Sequence, residues 1–401
     1  MNHWPIVTLG DIFDIARGGS PRPIDAFLTD DPNGVNWIMI GDASEGSKYI
    51  STTKKRIRHD GVSRSRSVKP GDLLLTNSMS FGKPYILNTH GCIHDGWLVL
   101  SPRREDIDPH FFYHLLGSGA LYQQFSKLAA GAVVKNLNID LVKGVQVSLP
   151  SFEEQRRIAD TLDKADAIRR KRKEAIVLTQ ELLRSVFLDM FGNPATNSKG
   201  WRAMVLGTLI AEGDSINYGV VQPGPDVADG IPLVRVGDFD EMGIRITGLK
   251  RISRDVEANY SRSRLRGDEV LVACVGSIGK VALADHRLSG ANIARAVARI
   301  RPGEALNREY LAHFLETPFV QRHFSSETRT VSQPTLNIKQ IQETPILVPP
   351  RAEQDAFARF EQQLRAGLVS QRAALDASDT LFGTLMQRAF RGELSSMDQS
   401  C

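Results

Sequence analysis

His90, Cys92 and His94 alternate along the chain, so a strand that carries them turns all three side chains to one face. Two imidazoles and a thiolate so placed suit zinc or copper. A comparable stretch further on carries Ala291, Ile293 and Ala294, which offer no ligands, so a half-buried strand face is the simpler reading. Gly276-Ser277-Ile278-Gly279-Lys280 has the wrong spacing for a phosphate-binding loop. There is no G-x-S-x-G nucleophile elbow, no H-E-x-x-H zinc helix and no glycine-rich cofactor loop between a strand and a helix. The expectation is therefore no catalytic residue, no metal and no cofactor, and a binder or scaffold rather than an enzyme.

The basic residues say more. Lys54, Lys55, Arg56, Arg58, Arg64, Arg66 and Lys69 crowd one stretch. Lys250, Arg251, Arg254, Arg262, Arg264 and Arg266 crowd a second, and Ser63-Arg64-Ser65-Arg66 is echoed by Ser261-Arg262-Ser263-Arg264. Cations among serines neutralise phosphates and release counterions, so both stretches are candidates for DNA-backbone contact. Polar loops follow the predicted strands: Arg17, Ser20 and Arg22 in one, Asn77, Ser78, Ser80 and Lys83 in another, Ser277 and Lys280 in its later counterpart. Such loops can present donors and acceptors to base edges. The run Arg169-Arg170-Lys171-Arg172-Lys173 has no echo and reads first as a solvated helix face.

These residues need a scaffold, and the chain supplies it twice. Leu137-Asn138-Ile139 recurs as Leu336-Asn337-Ile338, and Glu154-Gln155 as Glu353-Gln354, both about 199 residues on. Trp4, Gly41-Asp42, Gly71-Asp72, Gly82-Lys83 and His114 find partners in the same order at Trp201, Gly237-Asp238, Gly267-Asp268, Gly279-Lys280 and His313. The unit is a globular part followed by a long helix, at 1–150 and 151–192, then 193–349 and 350–401. Val35–Ile40, Asp72–Thr76 and Trp97–Leu100 are short apolar runs between turn residues, which suits strands. Ser151-Phe152-Glu153-Glu154 is a capping-box sequence, and nothing breaks the helix before Gly192 and Pro194. About 40 residues make a rod of roughly 60 Å. Ile158, Leu162, Leu183 and Val186 on the first helix, and Phe357, Leu364, Leu368, Phe382 and Leu385 on the second, form stripes that one helix cannot bury alone. An antiparallel pair follows, with a globular part at each end.

Composition sets the outer bounds. The 401 residues are 41% hydrophobic and 24% charged, ordinary for a globular chain of two or three domains. No apolar run approaches the length of a membrane span, and no signal peptide is visible, so no membrane partner and a cytoplasmic location are expected. Cys92, Cys274 and Cys401 cannot make a disulfide framework. A net charge of +4 permits nucleic-acid binding without requiring it.

Leu149-Pro150-Ser151-Phe152-Glu153-Glu154-Gln155-Arg156-Arg157-Ile158, continuing to Leu162-Asp163-Lys164-Ala165-Asp166-Ala167-Ile168, resembles the central region of type I restriction–modification specificity subunits. Phe191-Gly192-Asn193-Pro194 leading to Gly200-Trp201 looks like that family's junction into a second recognition domain, while Pro350-Arg351-Ala352-Glu353-Gln354 matches more weakly, lacking the serine cap. The resemblance implies an α+β protein: two tandem β-rich target-recognition domains joined and spaced by two long antiparallel coiled-coil helices. It implies a non-catalytic subunit that reads a split, asymmetric site on double-stranded DNA. Methyltransferase subunits dock on it, and restriction subunits can join. The family carries no short base-contact motif to transfer, so the contact residues rest on the basic loops. The alternatives are a helical-pair scaffold with no DNA role, and an enzyme with a metal at His90, Cys92 and His94.

Overall fold

The computed structural model describes residues 4–44, 46–77, 82–130, 137–240, 243–327 and 334–394. Ser78, Ser80 and Cys401 lie outside them. The chain divides into two compact units, Met1–Glu174 with Ala374–Cys401, and Ala175–Ala373. The dividing lines fall inside the two long helices, Phe152–Phe191 and Arg351–Phe390. Each half of each helix packs on a different core, and packing defines the unit.

In unit 1, Phe13–Arg17, Trp97–Pro102, Leu73–Thr76, Pro84–Leu87 and Tyr49–Ile50 form one sheet in that order. Leu28–Thr29, Lys55–Ile57, Val35–Ile38, Gly91–Ile93 and Arg66–Val68 form a second. Val35–Ile38 and Gly91–Ile93 run parallel, with Cys92 opposite Trp37. Leu73, Leu74 and Leu75 are all fully buried, so this strand is covered on both faces and reads as an unbroken apolar run. Helix Pro109–Leu116 starts at Asp108, whose carboxylate accepts the Phe111 N–H at 2.8 Å, and has proline in its first turn. Its Phe111, Phe112 and Leu116 close the core over Phe13, Leu98 and Leu100.

Unit 2 repeats this plan with fewer strands. Asn217–Tyr218, Val297–Ile300, Val270–Ala273 and Val281–Leu283 make the first sheet, and Lys250–Ile252, Ile231–Val234 and Asn292–Ile293 the second. Helix Arg308–Glu316 replaces Pro109–Leu116 and is capped by Asn307. In each unit a two-stranded antiparallel ribbon ties the start to the end of the globular part: Ile6–Thr8 with Gln146–Ser148, and Arg202–Val205 with Pro345–Val348.

The helices pair antiparallel within each unit. In unit 1, Arg157 reaches the Leu394 carbonyl at 3.5 Å and Arg172 the Ala374 carbonyl at 2.6 Å, so rising numbers meet falling ones. Ile158 and Leu162 pack in the core with Phe382 and Leu385 against them. In unit 2, Phe187 and Phe191 stack on Phe357, with Leu183 and Val186 beside them. Leu368 is buried and Leu364 half-buried. Two details depart from the sequence reading. Ser151 Oγ does accept the Glu154 N–H, at 3.4 Å, but the Glu154 carboxylate takes the Trp4 indole N–H at 3.0 Å instead of reaching back, because the entering strand lies against the helix start. The basic run is not simply solvated either. Arg169 pairs with Asp166 and Asp379 and lies over the Phe382 ring at 4.6 Å, and Arg170 pairs with Asp166. The first helix stops where the Gly192 N–H meets the Leu188 carbonyl with φ +76°, a conformation that favours glycine.

Candidate nucleic-acid interface

The first basic stretch spans the second sheet of unit 1, from an inner strand to the outermost one. Lys55 and Arg56 sit on strand Lys55–Ile57, Arg58 begins the turn that follows, and Arg66 lies on the outermost strand. Ile57 and Val68 are buried, while Lys55 and Arg66, at the starts of their strands, are exposed. Arg58 pairs with Asp60 at 2.6 Å, and the Arg64 guanidinium lies 5.2 Å from the Phe27 ring centre. Lys54, Lys55, Arg56, Arg66, Arg22 and Lys83 take no side-chain partner among the described residues. Arg17 donates to the Asp95 carbonyl at 3.0 Å, Ser20 to the Asp95 carboxylate at 3.1 Å, and Asn77 to the Asp95 carbonyl at 3.2 Å.

Unit 2 spends more of its cations internally. Arg264 makes a two-pronged pair with Glu257, at 2.7 Å on each prong, which holds the carboxyl below its usual range. Lys250 donates to the Gly224 carbonyl, Arg251 to that of Gly230 and Lys280 to that of Phe239. Arg254, Arg262 and Arg266 stay open among the described residues, and Ser277 is exposed. Arg262 and Arg266 line a cleft whose floor holds Arg299, almost fully buried and gripped by Asp214 at 2.7 Å and Glu269 at 3.2 Å. The echo of Arg66 in Arg264 is thus one of sequence only. One is open and the other tied to an acid, a difference that Glu257, seven residues earlier, could have signalled.

The trio His90, Cys92 and His94 does not converge. Cys92 is buried beside Ser67, 3.9 Å away, and burial pushes its thiol up. His94 accepts the Gly96 N–H at 3.0 Å through Nδ1 and meets Asp95 at 2.8 Å through Nε2, while His90 is exposed. No helix among the described residues is long and apolar enough to cross a membrane.

The residues that fasten the long helices to the globular parts are only partly visible in the sequence. Gln155 is buried at the start of the first long helix. Its Oε1 accepts the Asp108 N–H at 2.9 Å, and its Nε2 donates to the Asp106 and Pro150 carbonyls at 3.1 and 3.0 Å. Gln354 does the same with Asn307, Ala305 and Pro349 at 2.8, 3.0 and 2.8 Å. Each glutamine therefore fastens a helix to its globular part by three bonds. The repeat of Glu-Gln in both copies was the signal, but it did not reveal this role. Lys48 was missed altogether. It is buried, with its ammonium 2.6 Å from Asp163, which His110 and His114 also contact at 3.2 and 2.7 Å. Burial favours the protonated acid at Asp163, but these hydrogen bonds and the Lys48 charge hold it far below the ordinary carboxylate range.

The chain thus carries two frames of one design, each with open cations among the described residues. The model of the type I restriction modification DNA specificity domain matches residues 1–178 and 212–374. The type I restriction enzyme EcoBI specificity subunit of Escherichia coli is 28% identical over 98% of this chain and 86% of its own length. The StySPI specificity subunit of Salmonella potsdam is 23% identical over 98% of this chain and 89% of its own. Among solved structures, the type I restriction–modification S subunit from M. genitalium superposes with a TM-score of 0.60 at 15% identity, over 97% of both chains. The chain belongs to the family of type I restriction–modification DNA specificity subunits.

Proposed function

We propose that each unit reads one half of a split, asymmetric site on double-stranded DNA, and that the two shared helices receive methyltransferase subunits and fix the spacer. The chain then supplies sequence choice and no catalysis, and its docked partners modify adenine. A restriction subunit can join them. A DNA target of this kind puts the assembly in the cytoplasm.

The observation that carries the reading is the open cations of two matching frames. Lys54, Lys55, Arg56 and Arg66 in unit 1, and Arg254, Arg262 and Arg266 in unit 2, hold positive charge with no side-chain partner among the described residues. Such charge gives affinity through released counterions. Lys250, Arg251, Arg264 and Lys280 are committed inside the protein and contribute less. The test is the salt dependence of DNA binding by the complex assembled with its methyltransferase partner. Arg66→Ala or Arg262→Ala should each flatten the log–log slope by about 0.9, while Arg264→Ala changes it little. An unchanged slope in both open-cation variants would remove these residues from the interface.

A further inference from the structure

In both units the loop before the central strand ends in the same four-residue turn, His94–Trp97 and Ala294–Val297. The Trp97 N–H bonds the His94 carbonyl at 3.1 Å and the Val297 N–H that of Ala294 at 2.9 Å. The His94 N–H meets the Ile38 carbonyl at 3.1 Å, and the Ala294 N–H that of Val234 at 2.9 Å. The Gly96 carbonyl receives the Asn77 N–H, and the Ala296 carbonyl the Cys274 N–H. Three matching bonds make Asp95 and Arg295 occupants of one position at the turn's tip. One unit thus presents a carboxylate where the other presents a guanidinium.

Both tips are held rigid. In unit 1, Arg17, Ser20, Asn77 and His94 all brace Asp95, as described, and its Oδ2 stays open among the described residues. In unit 2, the Arg295 N–H bonds the Val220 carbonyl at 2.8 Å. Gly219 lies so close that a Cβ there would stand 1.6 Å from the Ile293 carbonyl oxygen; at Gly18 a Cβ would stand 2.1 Å from that of His94. The Arg295 side chain is exposed between two alanines and unpaired among the described residues.

The tips also adjoin the basic stretches. In unit 1, Ser65, between Arg64 and Arg66, donates to the Gly19 carbonyl at 2.7 Å, and the Gly19 N–H bonds the Ile93 carbonyl just before the turn. In unit 2, Asn217 donates to the Arg262 carbonyl at 3.2 Å, and Val220, three residues on, bonds the Ile293 carbonyl. Three extended residues span about 10 Å. One short segment in each unit therefore links the basic stretch to the braced backbone of the turn.

We propose that this turn position determines base specificity in each half-site. Arg295 donates to O6 and N7 of a guanine, and Asp95 accepts from the exocyclic amine of a cytosine, because a planar cation and a carboxylate match those edges. The proposal rests on the DNA-reading function above.

The experiment is genome-wide mapping of N6-methyladenine in cells expressing the methyltransferase partner with the wild-type chain, Arg295→Ala, Arg295→Gln or Asp95→Ala. Arg295→Ala should relax one G·C position in one half of the motif, cutting discrimination there about 5- to 150-fold, and leave the other half unchanged. Arg295→Gln should shift that position toward adenine. Asp95→Ala should relax one position in the opposite half. An unchanged motif in the variants overturns the proposal while the DNA-reading function stands. Uniform loss of methylation at all sites in the Arg295 variants overturns it too, since that marks a phosphate contact or a folding role. Absence of any split motif with the wild-type chain overturns the DNA-reading function itself.

Discussion

The two units hold their long helices by one shared device and by one device each has alone. Gln155 and Gln354 make the same three bonds to matching backbone groups. Eight residues further along each helix the units part. Asp163 in unit 1 gathers Lys48, His110 and His114, whereas Gln362 in unit 2 donates to Glu309 at 3.4 Å. His313, the counterpart of His114, instead packs among Phe187 at 4.7 Å and Phe357 at 5.3 Å. Backbone groups buried at a junction need partners whatever the side chains nearby, so the glutamine persists. The contact between sheet and helix has more than one solution, polar in one unit and aromatic in the other.

The largest expected effect tests the shared device. Gln155→Ala or Gln354→Ala strips three bonds from buried backbone groups and should cost about 3–4 kcal/mol in either unit, read by thermal or urea unfolding of the full chain. A loss in one unit alone would show that the clamps only look alike. Next comes the device of unit 1. Asp163→Ala leaves the Lys48 ammonium buried without its counter-charge and should cost about 3 kcal/mol, near the low end for a broken buried pair because part of Asp163 meets solvent. Gln362→Ala should stay within about 0.5 kcal/mol. Joint replacement by Lys48→Met and Asp163→Leu should recover most of the loss, since an apolar pair of similar volume replaces the ion pair.

Much of this plan was legible in the residues. The repeat, the helix ends and the short strands all follow from spacing and turn chemistry, which act locally. Gly192 ends its helix because that backbone conformation disfavours a side chain. What was not legible depends on distant partners. Nothing around Lys48 in sequence announces Asp163, and the run at Arg169–Lys173 gives no hint of Asp379 and Phe382. Counting cations alone also passed over Glu257, seven residues before Arg264, which pairs with it.

The units also differ in their response to pH. Enclosure among aromatic rings, with Arg184 and Arg365 nearby, pushes His313 down to about 4. An unfolded histidine titrates near 6.5, so between these values the unfolded chain binds the extra proton and the fold does not. The His313 contribution is therefore complete above about pH 6.5 and lost as pH falls toward 4, on the order of 2–3 kcal/mol. Two carboxyls facing the same cavity work in the opposite sense: burial pushes Glu361 up, and at the rim Glu316 is pushed up to about 7. Their contributions fade as pH rises, so the total for the wild type blends both trends. The comparison that isolates the histidine is wild type against His313→Phe, a ring that fits between Phe187 and Phe357. The stability difference should shift against the wild type by that amount as pH falls from 6.5 to 4. In unit 1, Asp163 keeps its proton off through the same range and its network should hold. Amide exchange, corrected for its intrinsic pH dependence, reads the two junctions separately: protection around Phe187 and Tyr310 should drop at pH 5 before protection around Phe111 and Leu162. Equal loss at both would mean that the aromatic and ionic junctions respond to acid alike, and that the difference between them has no energetic consequence in this range.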